Sequence, residues 1–202
     1  MTRVYLETGK TWTFACAVDW PGWCRRAKGG DEAAIEALLE YAPRYRRVAG
    51  SRWKPDVVEV IGRIAGDATT DFGAPHAIGP WDEEAIAAAD QRVQLKLLQR
   101  TWDYFDKVVA SSPPELRKGP RGGGRDRDKI VDHVREAERA YASKAGVRIP
   151  PRTPSPEHRG LILAGLRAPD AENVKWPWRY VVRRMAWHVL DHVWEIEDRR
   201  DS

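Results

Sequence analysis

Between Trp178 and Arg200, apolar and histidine side chains recur in steps of four, three, four and four residues: Val181, Met185, His188, His192 and Ile196. That spacing is helical and sets all five in a single stripe. Both histidines therefore belong to the seam that the helix buries, while Arg183, Arg184, Asp191, Glu195 and Glu197 populate its flanks. Imidazoles four residues apart stand one turn above each other, the placement that two ligands of one metal ion require. A striped helix also needs neighbours to cover it, and the chain from residue 82 onward offers three.

Asp82 can cap a helix running to about Ala110, with Val93, Leu97, Tyr104 and Val108 along one side, and Ser111-Ser112-Pro113-Pro114 stops it. A second helix is expected over about 126–145, with Ile130, His133, Ala137 and Ala140 on one face and Gly146 beyond its end. Residues 150–154 are proline-rich and stiff. Ser155 then caps a shorter helix with Pro156 at its first position, and Leu161, Ile162, Gly165 and Leu166 form its inner face. With the helix over 178–200, residues 82–202 read as an all-α four-helix bundle.

His133 adds a third imidazole to the seam. Three imidazoles suit zinc, nickel or iron(II), and three protein ligands leave a position open for water or substrate. His133, His188 and His192 are thus the candidate metal ligands. The competing reading makes them packing residues, but three buried imidazoles without metal or hydrogen bonds are costly. Asp191 and Asp132 adjoin ligands in sequence yet turn away by about 100°. Glu136 and Glu195 lie where they can accept imidazole N–H groups. His158 and His76 fall outside the seams and read as surface residues, and no side chain stands out as a general base.

The first 65 residues have a different texture and read as an α+β module. Val4, Leu6 and Thr8 alternate with Arg3, Tyr5 and Glu7, and Trp12, Phe14, Cys16 and Val18 alternate likewise, so a hairpin turning at Gly9-Lys10 is expected. Asp19-Trp20-Pro21-Gly22-Trp23 breaks the second strand. A helix follows from Asp31 to about Tyr41, with Ala34, Ile35, Leu38 and Leu39 on one face, and Val57, Val58, Val60 and Ile61 predict a third strand. The order is β-β-α-β. Residues 66–81 are turn-rich and form the expected linker, with Phe72 and Trp81 packing on the second domain.

Composition narrows the function. No apolar run approaches the roughly 20 residues that cross a bilayer, and the first ten residues lack a signal-peptide stretch, so the expected location is cytoplasmic. Cys16 and Cys24 lack a CxxC spacing and are too few for a disulfide framework, so both read as reduced thiols. The net charge of +4 is mild. Its visible excess lies in a glycine-rich stretch with interspersed aspartates, Arg117 to Lys129, which reads as a solvated loop, with an anion or nucleic-acid contact as the alternative. Of the ten tryptophans, Trp176, Trp178, Trp187 and Trp194 crowd the last helix and its entry. They read as interhelical and interdomain packing, or else as an aromatic wall beside a ligand.

Asp132-His133-Val134-Arg135-Glu136-Ala137-Glu138, taken with Trp187-His188-Val189-Leu190-Asp191-His192-Val193-Trp194-Glu195, resembles the DinB-like superfamily over about 120 residues. The resemblance implies a four-helix bundle holding a divalent metal through one histidine of its second helix and a pair on its last, which are His133, His188 and His192. It further implies metal-dependent thiol transfer or isomerisation with a low-molecular-weight thiol as cofactor, a small-molecule substrate, and a homodimer. Phe14-Ala15-Cys16-Ala17-Val18-Asp19-Trp20-Pro21-Gly22, with Gly30-Asp31-Glu32-Ala33-Ala34-Ile35-Glu36-Ala37-Leu38-Leu39, is similar to HicB-like antitoxin domains over about 60 residues. That likeness implies a protein partner for the first module and, as the alternative function, a non-enzymatic regulatory or binding protein. No DNA-binding segment follows as it does in that family; the bundle stands in its place.

Overall fold

The computed structural model describes residues 1–119, 123–168 and 173–200; Arg121 of the basic stretch lies outside them. The architecture is α+β: a four-stranded sheet with its helices, followed by a helical region. The sheet is built from β1 (Thr2–Thr8), β2 (Thr13–Ala17), β3 (Cys24–Ala27) and β4 (Val58–Ala65), in the order β3-β2-β1-β4. β1 and β2 form the expected antiparallel hairpin, with Tyr5 opposite Cys16. β4 pairs parallel to β1, so its connection must cross over the sheet, and α1 (Asp31–Glu40) and α2 (Ala42–Ala49) make that crossover.

Two elements of this module escape the β-β-α-β expectation. β3 reads Cys-Arg-Arg-Ala, too polar for alternation to reveal it, and is recruited by pairing with β2. α2 carries Pro43 in its first turn, where proline is tolerated, so the helix expected to end near Tyr41 is followed directly by a second one. Leu39, expected on the buried face of α1, is 39% exposed, whereas Ala34 and Leu38 are sealed.

β1 is buried on both faces. Val4 and Leu6 join Ala15, Ala17, Trp23, α1 and α2 on one side; Tyr5, Phe14 and Cys16 meet Trp81 and Trp187 on the other. The Pro21-Gly22 turn is held from both sides: Tyr45 Oη donates to Pro21 O at 2.9 Å, and Gly22, at φ +89°, presses its backbone on Ala186 and Leu190 of the last helix. A side chain there would meet Leu190 Cδ1 at 2.6 Å and would also be strained by the positive φ.

Cys16 and Cys24 are not free thiols; they form a disulfide between directly opposed positions of β2 and β3. The count of two cysteines cannot reveal this, because only the strand register brings them together. Both are buried beside Trp187. Denatured, unreduced protein is expected to resist alkylation and to take two adducts after reduction; two adducts before reduction would contradict the pairing.

Residues 66–81 include α3 (Ala68–Phe72) and the start of α4 (Pro80–Glu83). Trp81 packs as expected, stacked on Tyr5 with ring centroids 4.6 Å apart. Phe72 does not, and stands 89% exposed. Asp82 caps no long helix: α5 (Ala88–Ala110) starts six residues later without a side-chain cap. Asp82 is instead buried in an ion pair with Arg183. Val93, expected in the α5 stripe, is 52% exposed; Leu97, Tyr104 and Val108 are buried.

The remaining helices are α6 (Arg127–Lys144), α7 (Ser155–Arg167) and α8 (Trp178–Arg200). Tyr104 Oη donating to Glu197 and Arg117 N donating to Arg199 O show that α5 and α8 end together and run the same way. Lys175 N and Trp176 N donate to Lys144 O, which places the start of α8 at the end of α6 and makes those two antiparallel. α7 begins at Ser155 with Pro154 in the cap position. Its sealed face is Ile162, Leu163 and Leu166, with Leu161 turned out. One apolar core runs from Val4 and Leu6 through α5 and α6 to Val193 and Ile196, so sheet and helices bury a common interior. Among the described residues no helix is long and apolar enough to cross a membrane.

Candidate metal centre

α8 is buried along nearly its whole length because α5 and α6 pack along it and Tyr5, Phe14 and Gly22 of the sheet module meet Trp187, Ala186 and Leu190 on another side. His188 and His192 take the side toward α6 and are each 8% exposed. His133 is half-buried: the α6 seam is Ile130, Val134, Glu138 and Ala142, one position round from the expected face, which leaves His133 at its edge. The structure brings the three predicted ligands together. One ligand atom from each lies within 4.8 Å of the others, a cluster that could hold a metal ion. Ring centroids are 5.0 Å apart for His133 and His188, 5.0 Å for His133 and His192, and 4.7 Å for His188 and His192.

His133 Nε2 and His188 Nε2 face each other at 3.2 Å. Two nitrogens bound tetrahedrally to one zinc at about 2.0–2.1 Å stand roughly 3.3 Å apart, so this spacing fits without movement. At the third ring, Nδ1 lies 2.8 Å from Glu195 Oε2. A proton on that Nδ1, donated to the carboxylate, leaves the Nε2 lone pair of His192 bare, as coordination requires. His188 Nδ1 is buried without a hydrogen-bond partner. An imidazole with one unpartnered nitrogen and the other at a neighbour's nitrogen is poorly satisfied as a packing residue, and a cation between the Nε2 atoms would relieve it.

Electrostatics point the same way. Burial, reinforced by His192 and His133, pushes the His188 pKa well below the ordinary histidine value, and burial followed by His192 lowers that of His133. Neutral imidazole is the form that binds metal. Burial alone would raise the Glu195 pKa, but the hydrogen bond and charge of His192 together with Arg199 outweigh it and hold the carboxyl below its usual range.

Glu195 takes the accepting role expected of it, and Arg199, which has no part in that expectation, fixes it in turn, with Nη1 2.6 Å from Glu195 Oε1. The spacing carries that signal, since Arg199 lies four residues past Glu195 and seven past His192 on one helix face. Glu136 has no such role and pairs with Arg139. Asp132 pairs with Arg135, and Asp191 faces Arg25 of β3 at 3.8 Å. Tyr141 and Trp187 rings border His188, and Arg184 lies over both.

His158 corrects an expectation. It is 2% exposed, with Nε2 3.4 Å from the buried Glu138 carboxylate, in a cluster where Arg159 bridges Glu138 and Asp106. Glu138 sits in the α6 seam among apolar residues, and α7 brings Arg159, the cation that offsets its burial. His76 is partly exposed and bonds to Asp67 at 2.8 Å.

Removing the Glu195 carboxylate charge tests the orienting role. Glu195→Gln is expected to lower metal affinity by about 10–100-fold in a chelator competition while His133 and His188 remain; unchanged affinity would show that Glu195 is only a surface partner of Arg199.

The chain matches no family model, no curated protein and no solved structure.

Proposed function

We propose that this chain is a DinB-like divalent-metal protein, with α5, α6, α7 and α8 as its four-helix bundle and His133, His188 and His192 holding zinc through Nε2. The observation that carries this reading is the 3.2 Å approach of His133 Nε2 and His188 Nε2 next to a His192 ring oriented by Glu195. Three nitrogen ligands leave a position for an exogenous group, and the reaction class proposed is thiol S-transfer to a small molecule. A bound divalent cation would lower the pKa of a thiol or water placed there and so supply a nucleophile at neutral pH. The chain's own contribution is to keep the His188 and His133 imidazoles neutral by burial, to fix the His192 tautomer through Glu195 and Arg199, and to border His188 with Tyr141 and Trp187.

Untagged full-length protein loaded with cobalt(II) tests both halves of this. Stoichiometric cobalt and a new sulfur-to-cobalt charge-transfer band on adding a low-molecular-weight thiol would support thiol chemistry. Cobalt bound without that band would overturn the thiol assignment, and no bound cobalt would overturn the metal centre.

A second reading, recognition of a protein partner by the HicB-like module, draws on the sheet order. β3 and β4 are its two edges, and each has a side unpaired within the sheet, the kind of edge to which a partner strand can add. Selective broadening of β3 or β4 amide resonances by a candidate partner would favour that reading, and none would remove it.

A further inference from the structure

One sizeable groove has no part in the metal centre. It is a half-open groove of about 720 Å³ where α2, α5 and the end of α8 meet, a volume within the usual range for small-molecule sites. Nine residues separate His188 from Glu197 in the groove wall, which at about 100° per residue puts the groove on the opposite side of α8 from the histidines.

Its lining is lopsided in charge. Arg47, Arg100, Lys107 and Arg200 face the groove against two carboxylates, Asp103 and Glu197. Glu197 is already matched: Tyr104 Oη donates to it at 2.7 Å, and Arg44 and Arg47 each lie 3.5 Å away. Asp103 accepts from the Gln99 side-chain amide at 3.0 Å. The Lys107 ammonium has no ion-pair partner among the described residues.

Three helices end here, and cations complement helix C-termini. Much of that need is met by other groups. One nitrogen of Arg100, Nη1, does this for α2 by bonding Val48 O and Ala49 O at 3.3 and 3.2 Å, the hydroxyls of Ser111 and Ser112 do it for α5 by bonding Val108 O, and Lys107 is not used in either. Cationic capacity therefore remains above a floor of Val48, Tyr104 and Val108. We propose that this groove is a second binding site, for a small organic anion whose carboxylate or phosphate lies between Lys107 and Arg100 and whose apolar body rests on Tyr104 and Val108. The site does not depend on the metal reading.

Titration of the isotope-labelled full chain with phenyl phosphate at low ionic strength, followed by amide resonances, tests this. Saturable shifts are expected at Gly50, Lys107 and Ser111. Phenol, which has the ring without the charge, should give none. Benzoate in place of phenyl phosphate distinguishes a carboxylate from a phosphate ligand, and saturation by either supports the site. Lys107→Glu replaces an exposed side chain, leaves the fold intact, and should weaken binding on the order of tenfold, whereas Lys107→Arg should retain it. No saturable shift with either anion, shifts confined to residues outside the groove, or equal affinity in Lys107→Glu would each overturn the proposal.

Discussion

His188→Ala, made in the full chain, is expected to abolish stoichiometric zinc, lowering affinity on the order of a thousandfold in competition with a chelator. Structural zinc contributes about 10–16 kcal/mol over its ligand set, so one ligand of three accounts for several kcal/mol, and each 1.4 kcal/mol is a factor of ten. The metal-free comparison separates a ligand from a packing residue. His188 is buried with Nδ1 unpartnered and Nε2 against another imidazole, so its removal should cost the metal-free fold little, and far less than the roughly 2–5 kcal/mol of truncating a large apolar core residue. A large loss of metal-free stability with unchanged zinc binding would sink the assignment.

Acidity should act in the same direction. His188 and His133 have folded pKa values depressed by burial. As pH falls, the unfolded chain binds protons first, so their share of metal-free stability is present above the unfolded value of about 6.5 and is lost as pH falls below it toward the folded values. Zinc retention should decline over the same window, because a protonated imidazole has no free lone pair. Thermal unfolding of metal-free protein in a pH series, alongside His188→Ala, checks the sign: the variant should lose less stability on acidification than the parent.

The second large effect is expected at Asp82, remote from the candidate metal ligands in sequence. Its Oδ1 and Oδ2 each lie 2.7 Å from Arg183 of α8, and Oδ2 also accepts from Gly79 N at 2.9 Å. Arg183 donates further to Ala77 O at 2.8 Å and to the Tyr5 hydroxyl, so this one guanidinium joins β1, the segment before α4, and α8. Burial would lower the Arg183 pKa, but Tyr5 and Asp82 more than offset that and hold it above the ordinary arginine value.

Asp82→Ala leaves that cation buried without its counter-ion, which costs about 3–5 kcal/mol. For a chain of this size the midpoint should fall by roughly 10 °C. Replacing both partners, Asp82→Leu with Arg183→Met, should recover at least half of the loss, because no uncompensated charge then remains. A loss below about 1 kcal/mol for Asp82→Ala would mean that water reaches Arg183 and that the Gly79–Asp82 segment is not docked as described.

How much of this was legible in the sequence depends on how local each cause is. The stripe of Val181, Met185, His188, His192 and Ile196 is set by helical period alone, and the strand alternation of residues 2–8 and 13–17 by a period of two; both appear in the structure. Glu195 as the acceptor for His192 is likewise a one-turn relation and was readable. What failed was whatever a distant partner decides. β3 exists because β2 offers it hydrogen bonds, and Cys16 meets Cys24 because the register of that pairing sets them opposite. Asp82 is buried because Arg183, 101 residues later, arrives to neutralise it; His158 is buried because α7 docks on Glu138 of α6. Periodicity along one chain reports which face of an element is apolar. Which buried charge finds its counter-charge, and which two strands share an edge, are settled only when elements far apart in sequence pack together, since the desolvation that each polar group suffers is offset by a partner that the local sequence does not contain.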